Sequence, residues 1–183
     1  MTTKTGATAR AALDHFSSLL ETYRERLAQI EPSLFDQKPD AETWSVAQLF
    51  EHLCSSSAYF FGKRVQHCLA KNTDKGQEGG GLTEVGQWIM DNGAFPEQRI
   101  KIPGSGHYEY ETKSKADYSQ WMQELETKYA SLEEQVEADP GSFRIAHGRF
   151  GELNALEYYR NNSMHWQHHL AQLDRILTQV QTK

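Results

Sequence analysis

The sequence predicts an all-α fold: a four-helix bundle with a long crossover between its second and third helices. Three observations carry that prediction. Four separate stretches space apolar residues three and four apart, the pattern of a helix with one buried face. Serines stand where two of those stretches begin, the residue type that best caps a helix start. No stretch offers a credible strand-rich core instead.

In the first stretch Leu13, Phe16, Leu20, Tyr23, Leu27 and Ile30 predict a helix over 8–30, stopped soon after by Pro32. The second starts at Ser45, an N-cap in Thr43-Trp44-Ser45-Val46, and runs over 45–71 through Val46, Leu49, Leu53, Phe60 and Phe61. The third covers 114–138. Ser114-Lys115-Ala116-Asp117 has the form of a capping box, the core face is Tyr118, Trp121, Leu125, Tyr129, Leu132 and Val136, and Pro140-Gly141 follows the end. The fourth covers 151–181, with Leu156, Tyr159, Ser163, Trp166, Leu170, Leu173, Leu177 and Val180 on its stripe.

The 72–113 crossover is too long for a simple turn, and such connections often carry function. Residues 72–81 are polar, end in Gly79-Gly80-Gly81, lack the Gly-Lys-Ser/Thr ending of a phosphate loop and read as a flexible piece. A short helix is expected over 82–91, stopping at Asn92-Gly93. Phe95 to Tyr110 reads as extended, with a short pairing around Arg99-Ile100-Lys101-Ile102.

A chain of 183 residues supports one domain with a proper core, so residues 1–183 are read as a single domain. Its net charge of -6 and mean hydropathy of -0.72 describe a soluble acidic protein with no general attraction for phosphate backbones or anionic lipid. Nucleic acid and membrane are therefore not expected partners. No stretch approaches the roughly 18–20 apolar residues of a membrane span, and the first ten residues lack the apolar centre of a signal peptide. The expected compartment is the cytoplasm. Cys54 and Cys68 fall fourteen residues apart on the second predicted helix, roughly 21 Å at ~1.5 Å per residue, too far for a disulfide. They are expected to be reduced thiols.

Three histidines point to chemistry. His165 and His169 are four apart in Met164-His165-Trp166-Gln167-His168-His169, so both imidazoles can reach one point. On a wheel referred to Leu170, His169 lies about 100° round, His165 about 140° on the same side, and His168 about 160° away, near the back. His52 lies about 100° from Leu53 on the second helix. All three of His52, His165 and His169 thus flank a core face, where two helices can present them to one ion with a coordination position left open. The same placement also serves ordinary interfacial histidines with hydrogen-bonded partners. His15 and His67 read as core-edge or solvated, His107 and His147 as loop residues. Cys54, two residues after His52, points to another face. No Ser/His/Asp set or paired-carboxylate motif is recognisable.

Thr43-Trp44-Ser45 through His52-Leu53, Phe150-Gly151-Glu152-Leu153-Asn154, and His165 through His169 to Gln172-Leu173 together resemble the DinB/YfiT-like superfamily. Gly93-Ala94-Phe95-Pro96 and Lys113 to Asp117 are most similar to a branch of unassigned function. The resemblance implies a four-helix bundle, often dimeric, with a divalent metal on His52, His165 and His169. It also implies activities found among the relatives: thiol-dependent S-transferases and isomerases that use low-molecular-weight thiols, and metal hydrolases. The expected function is metal-dependent transfer of a thiol to a small electrophile, with zinc or nickel as the ion. A hydrolase and a non-catalytic metal- or ligand-binding stress-response bundle are the alternatives. Glu51, Tyr159 and Asn162 are candidates for orienting the imidazoles, and Trp88 and Phe95 for anchoring a homodimer.

Overall fold

A computed structural model describes residues 4–96 and 110–182. The extended pairing expected around Arg99–Ile102, and His107, lie outside the described residues. Helix α1 (Ala9–Gln29) is capped by Thr8, whose hydroxyl accepts from the Ala11 N–H. Its predicted stripe is buried throughout, from Leu13 to Ile30. Pro32 stands at the first position of a one-turn helix α2 (Pro32–Phe35), where its missing N–H costs no intrahelical bond.

The second predicted helix is an α-helix interrupted. Helix α3 (Val46–Ser55) opens at a full capping box between Ser45 and Gln48. A π-helical segment follows over Ser56–Phe61, and helix α4 (Gly62–Leu69) continues from it. Within the π segment the Gly62 N–H reaches the Ser57 carbonyl, five residues back, which inserts one residue into the helical repeat. The insertion turns the Ser57 hydroxyl into the bundle. It accepts from Trp166 Nε1 at 2.7 Å and donates to Asn162 Oδ1 at 2.7 Å, while the Ser57 carbonyl also accepts from the Tyr129 hydroxyl at 3.1 Å.

The described part of the crossover holds more regular structure than its composition suggests. The polar 72–81 stretch, expected to be flexible, contains strand β1 (Gly76–Glu78). Helix α5 (Glu84–Asn92), capped by Thr83, ends at Gly93 in the left-handed region with φ 61°. Helix α6 (Lys115–Ala138) has the predicted Ser114/Asp117 capping box. Strands β2 (Phe143–His147) and β3 (Gly151–Leu153) then form a hairpin, and β1 adds to it in the antiparallel order β1-β2-β3. The fourth helix, expected from 151, therefore begins later, as α7 (Ala155–Gln181) with an Asn154/Glu157 capping box. Gly151 explains the delay: its φ of 87° is not helical, and a Cβ there would come within 2.4 Å of the Gly81 carbonyl. His147, expected in a loop, is the last residue of β2, its ring stacked 4.3 Å from Phe150.

The long helices α1, α3–α4, α6 and α7 make one bundle, with α1 and α3 each packed on α6 and α7. Trp166, fully buried, is its centre: Tyr23 meets the indole edge-on at 4.9 Å and Phe16 at 5.8 Å. The core stripe of α7 follows Trp166, Leu173 and Ile176, while Leu156, Leu170 and Leu177 are only partly buried. The small sheet covers the start of α7. Phe95 is packed on Phe150 at 5.8 Å and so is no free anchor, whereas Trp88 is 47% exposed. Among the described residues no helix is long and apolar enough to cross a membrane.

Candidate metal centre

His52 lies two turns into α3, in a register set by the Ser45 cap. His165 and His169 lie one turn apart in the middle of α7. Because α3 packs against α7, the three rings meet. His52 Nε2 is 3.1 Å from His165 Nε2, His169 Nε2 is 3.2 Å from the same atom, and one nitrogen of each ring lies within 4.8 Å of the others. His168 stands outside this group, exposed, with its ring edge-on to Phe95 at 5.5 Å.

The far sides of the rings determine what the near sides offer. His169 Nδ1 is 2.8 Å from Gln172 Oε1. An amide oxygen only accepts, so the proton is on Nδ1 and Nε2 presents its lone pair to the cluster. His52 Nδ1 meets the Tyr110 hydroxyl at 3.2 Å, and the Trp44 ring lies 4.9 Å from the His52 ring. His165 Nδ1 is buried with no partner among the described residues. Phe61, from the π segment, closes the side toward His165 at 5.2 Å.

Burial lowers the pKa of all three rings. His52 falls to about 4 through desolvation. His165 and His169 fall well below the usual histidine value, first through desolvation and then through the neighbouring imidazoles. The rings are neutral at pH 7, as metal ligands must be. The arrangement fits a divalent ion. Two nitrogens bound tetrahedrally at ~2.0–2.1 Å from one ion are about 3.3 Å apart, close to the 3.1 and 3.2 Å found here. A ring nitrogen has one in-plane site, so His165 Nε2 cannot hydrogen-bond well to both neighbours at once. Where all three rings turn lone pairs to this point, these repel unless a cation lies between them. An all-imidazole set suits zinc or nickel, among others.

The groups expected to orient the rings are engaged elsewhere. Glu51 accepts from Lys113 Nζ at 3.1 Å and the Tyr118 hydroxyl at 2.9 Å. Tyr159 donates to the Tyr129 carbonyl, and Asn162 Oδ1 accepts from Ser57. Gln172 and Tyr110 touch the imidazoles instead. Gln172 was findable, being three residues after His169 and so on the same face. Tyr110 comes from the crossover, 58 residues from His52, with no local signal. His15 sits at the core edge, bonded to Thr5, Ser163 and Gln167. Both cysteines are free and buried. Burial pushes the Cys54 thiol up, and the Cys68 thiol up to about 12, so neither is a thiolate at pH 7.

No curated protein matches the chain significantly. The family model of the DinB superfamily matches residues 15–173, a span that holds the Trp44-Ser45 helix start, all three converging histidines and Gln172 behind His169; the chain belongs to the DinB superfamily.

Proposed function

We propose that the protein is a metal-dependent enzyme that joins a low-molecular-weight thiol to a small electrophile, with zinc or nickel held by His52, His165 and His169. The observation that carries the reading is the convergence of three neutral imidazole nitrogens from two helices. With three protein donors among the described residues, such a site leaves a coordination position for an exchangeable ligand. The bound cation would supply Lewis acidity, lowering the pKa of a thiol or of water. Gln172 holds His169 in the ligating tautomer, Tyr110 braces His52, and Trp44 and Phe61 keep the site poor in water. The chain's own thiols are buried and protonated, so the reacting thiol comes from outside. Its sulfur forms the new C–S bond, the leaving group departs with the bonding pair, and the thiol proton passes to solvent.

The test is a panel of low-molecular-weight thiols offered with an activated aryl halide to metal-loaded and metal-stripped protein. Acceleration that needs both the metal and a particular thiol is expected. Hydrolysis of esters or amides without thiol, abolished in His165→Ala, would make the protein a hydrolase instead. No response in either assay would favour the non-catalytic bundle. We further propose a cytoplasmic homodimer with no nucleic-acid or membrane partner. The net charge of -6 and the exposed Trp88 and Val85 on α5 support it, and light scattering at micromolar concentration should give twice the 20.9 kDa chain mass.

A further inference from the structure

Among the described residues, five buried side-chain nitrogen or oxygen atoms have no hydrogen-bond partner, and four of them fall within a single turn of α7. They are Asn161 Nδ2, Asn161 Oδ1, Asn162 Nδ2 and His165 Nδ1. Asn161 and Asn162 are 0% exposed. Each such group left unpaired costs roughly 1–3 kcal/mol. A turn packed for stability alone would not collect four of them, so they belong to one polar arrangement.

The helix geometry indicates which. Asn161 precedes His165 by four residues and Asn162 by three, so both share its face. Helical side chains lean toward the N-terminus, which carries the His165 ring back over the turn that holds the two asparagines. Of the three clustered rings, His52 and His169 have a partner on Nδ1 and His165 has none. If His165 Nε2 gives its lone pair to an ion, its Nδ1 carries the proton, and that buried N–H needs an acceptor. Asn162 Oδ1 already accepts from Ser57, whereas Asn161 Oδ1 has no donor.

We infer that Asn161 is the positioning residue for His165: its carboxamide oxygen receives the His165 Nδ1–H through one enclosed water molecule, fixing the tautomer and the tilt of the ring. The inference rests on the reading of His52, His165 and His169 as metal ligands. Three of the four atoms gain a partner. The water accepts from His165 Nδ1–H and from Asn162 Nδ2–H and donates to Asn161 Oδ1, about the three bonds a buried water typically makes. A neutral amide in this role orients the ring without offsetting the cation's charge, as a carboxylate would.

Zinc ion is the probe, with affinity read by chelator competition on wild type, Asn161→Leu and Asn161→Asp, and thermal unfolding measured on each protein free of metal. Asn161→Leu keeps the volume and removes both polar atoms; its zinc affinity should fall about 10–100-fold, the range for losing a group that orients a ligand. Its metal-free melting temperature should hold, because the volume is kept and the partnerless Asn161 Nδ2 leaves the core together with the water-bound Oδ1. Asn161→Asp, which keeps the acceptor, should bind zinc within about threefold of wild type. In zinc-loaded wild type, long-range nitrogen–proton NMR should show His165 protonated on Nδ1, with that proton slow to exchange. Zinc binding by Asn161→Leu equal to wild type overturns the inference alone, as does a loss of affinity that merely tracks lost stability in both variants. Should Asn161→Leu fail to fold, the NMR decides: a bare His165 Nδ1 overturns the pairing. Wild type that takes up no zinc overturns the metal reading and this inference together.

Discussion

Helices α6 and α7 both begin at a capping box and pack into the same core, yet they fill their buried positions differently. On α6 the buried residues are Tyr118, Met122, Leu125, Tyr129, Leu132 and Val136, one stripe at three- and four-residue spacing. The polar atoms among them, two tyrosine hydroxyls, are both bonded, to Glu51 and to the Ser57 carbonyl. The first half of α7 is buried nearly all round, through Tyr158, Tyr159, Asn161, Asn162, Ser163, Met164 and Trp166. There α1, the π segment, α4 and β3 surround it. A helix buried on one stripe stabilises the fold. A helix enclosed on nearly every side can hold polar groups in fixed positions away from water; His165 stands there, and His169 one turn further on.

The largest expected effect separates the two helices by what they lose. Leu125→Ala on α6 should cost about 2–5 kcal/mol of stability, as for other buried leucines, and leave metal uptake intact. His165→Ala and His169→Ala should lose the metal while the metal-free protein remains folded, and His168→Ala should keep it. Metal content after dialysis, set beside denaturant unfolding, checks all four. Equal metal loss from His168→Ala would reassign the site.

Next comes the hydroxyl that joins the π segment to α7. Ser57→Ala strands the Trp166 Nε1–H and Asn162 Oδ1 inside the core. Two buried groups left unpaired should cost roughly 2–6 kcal/mol. Removing the exposed cap of α6 with Ser114→Ala should cost only about 1 kcal/mol. If denaturant unfolding ranks the two serines the other way, the enclosed half of α7 is not the more tightly specified region.

What could be read from the sequence follows the same division. The stripes of α1 and α6 and both serine caps were legible because each is a local pattern with a water-facing side to contrast with. The wheel for α7 was referred to Leu170, with Trp166, Leu173 and Leu177 on its stripe, but the buried axis runs through Trp166, Leu173 and Ile176, so the histidine pair lies closer to the core than that wheel implied. The π segment left one sign, the Ser55-Ser56-Ser57 run inside an otherwise apolar helix, where serine competes for backbone hydrogen bonds. The sheet left almost none, since β1 is three residues long and finds β2 across more than sixty residues of chain. The i, i+4 histidine pair could be read because helical spacing fixes it. The Tyr110 brace could not, because only tertiary folding brings the crossover to His52.

The smallest expected effect is a pH dependence that belongs to the histidine-bearing region and not to α6, which contains no histidine. The folded-state pKa values of His52 and His147 are lowered to about 4, and those of His15, His165 and His169 are lowered as well, desolvation being the first cause in each. In the unfolded chain these rings titrate near ~6.5. Between those values the unfolded state binds more protons, so this stability is fully present above about pH 6.5 and is lost as pH falls toward 4. On α6 the Asp117 carboxyl, held below its usual value by Ser114, works in the same direction but only below about pH 4. Metal-free protein should therefore unfold at lower denaturant at pH 5 than at pH 7, with His52 alone contributing about 2 kcal/mol of the difference. Zinc-loaded protein should show the steeper slope, because protons then compete for the lone pairs that hold the ion. Equal stability of the metal-free protein at the two pH values would mean that these rings are hydrated, and that the first half of α7 is no more enclosed than α6.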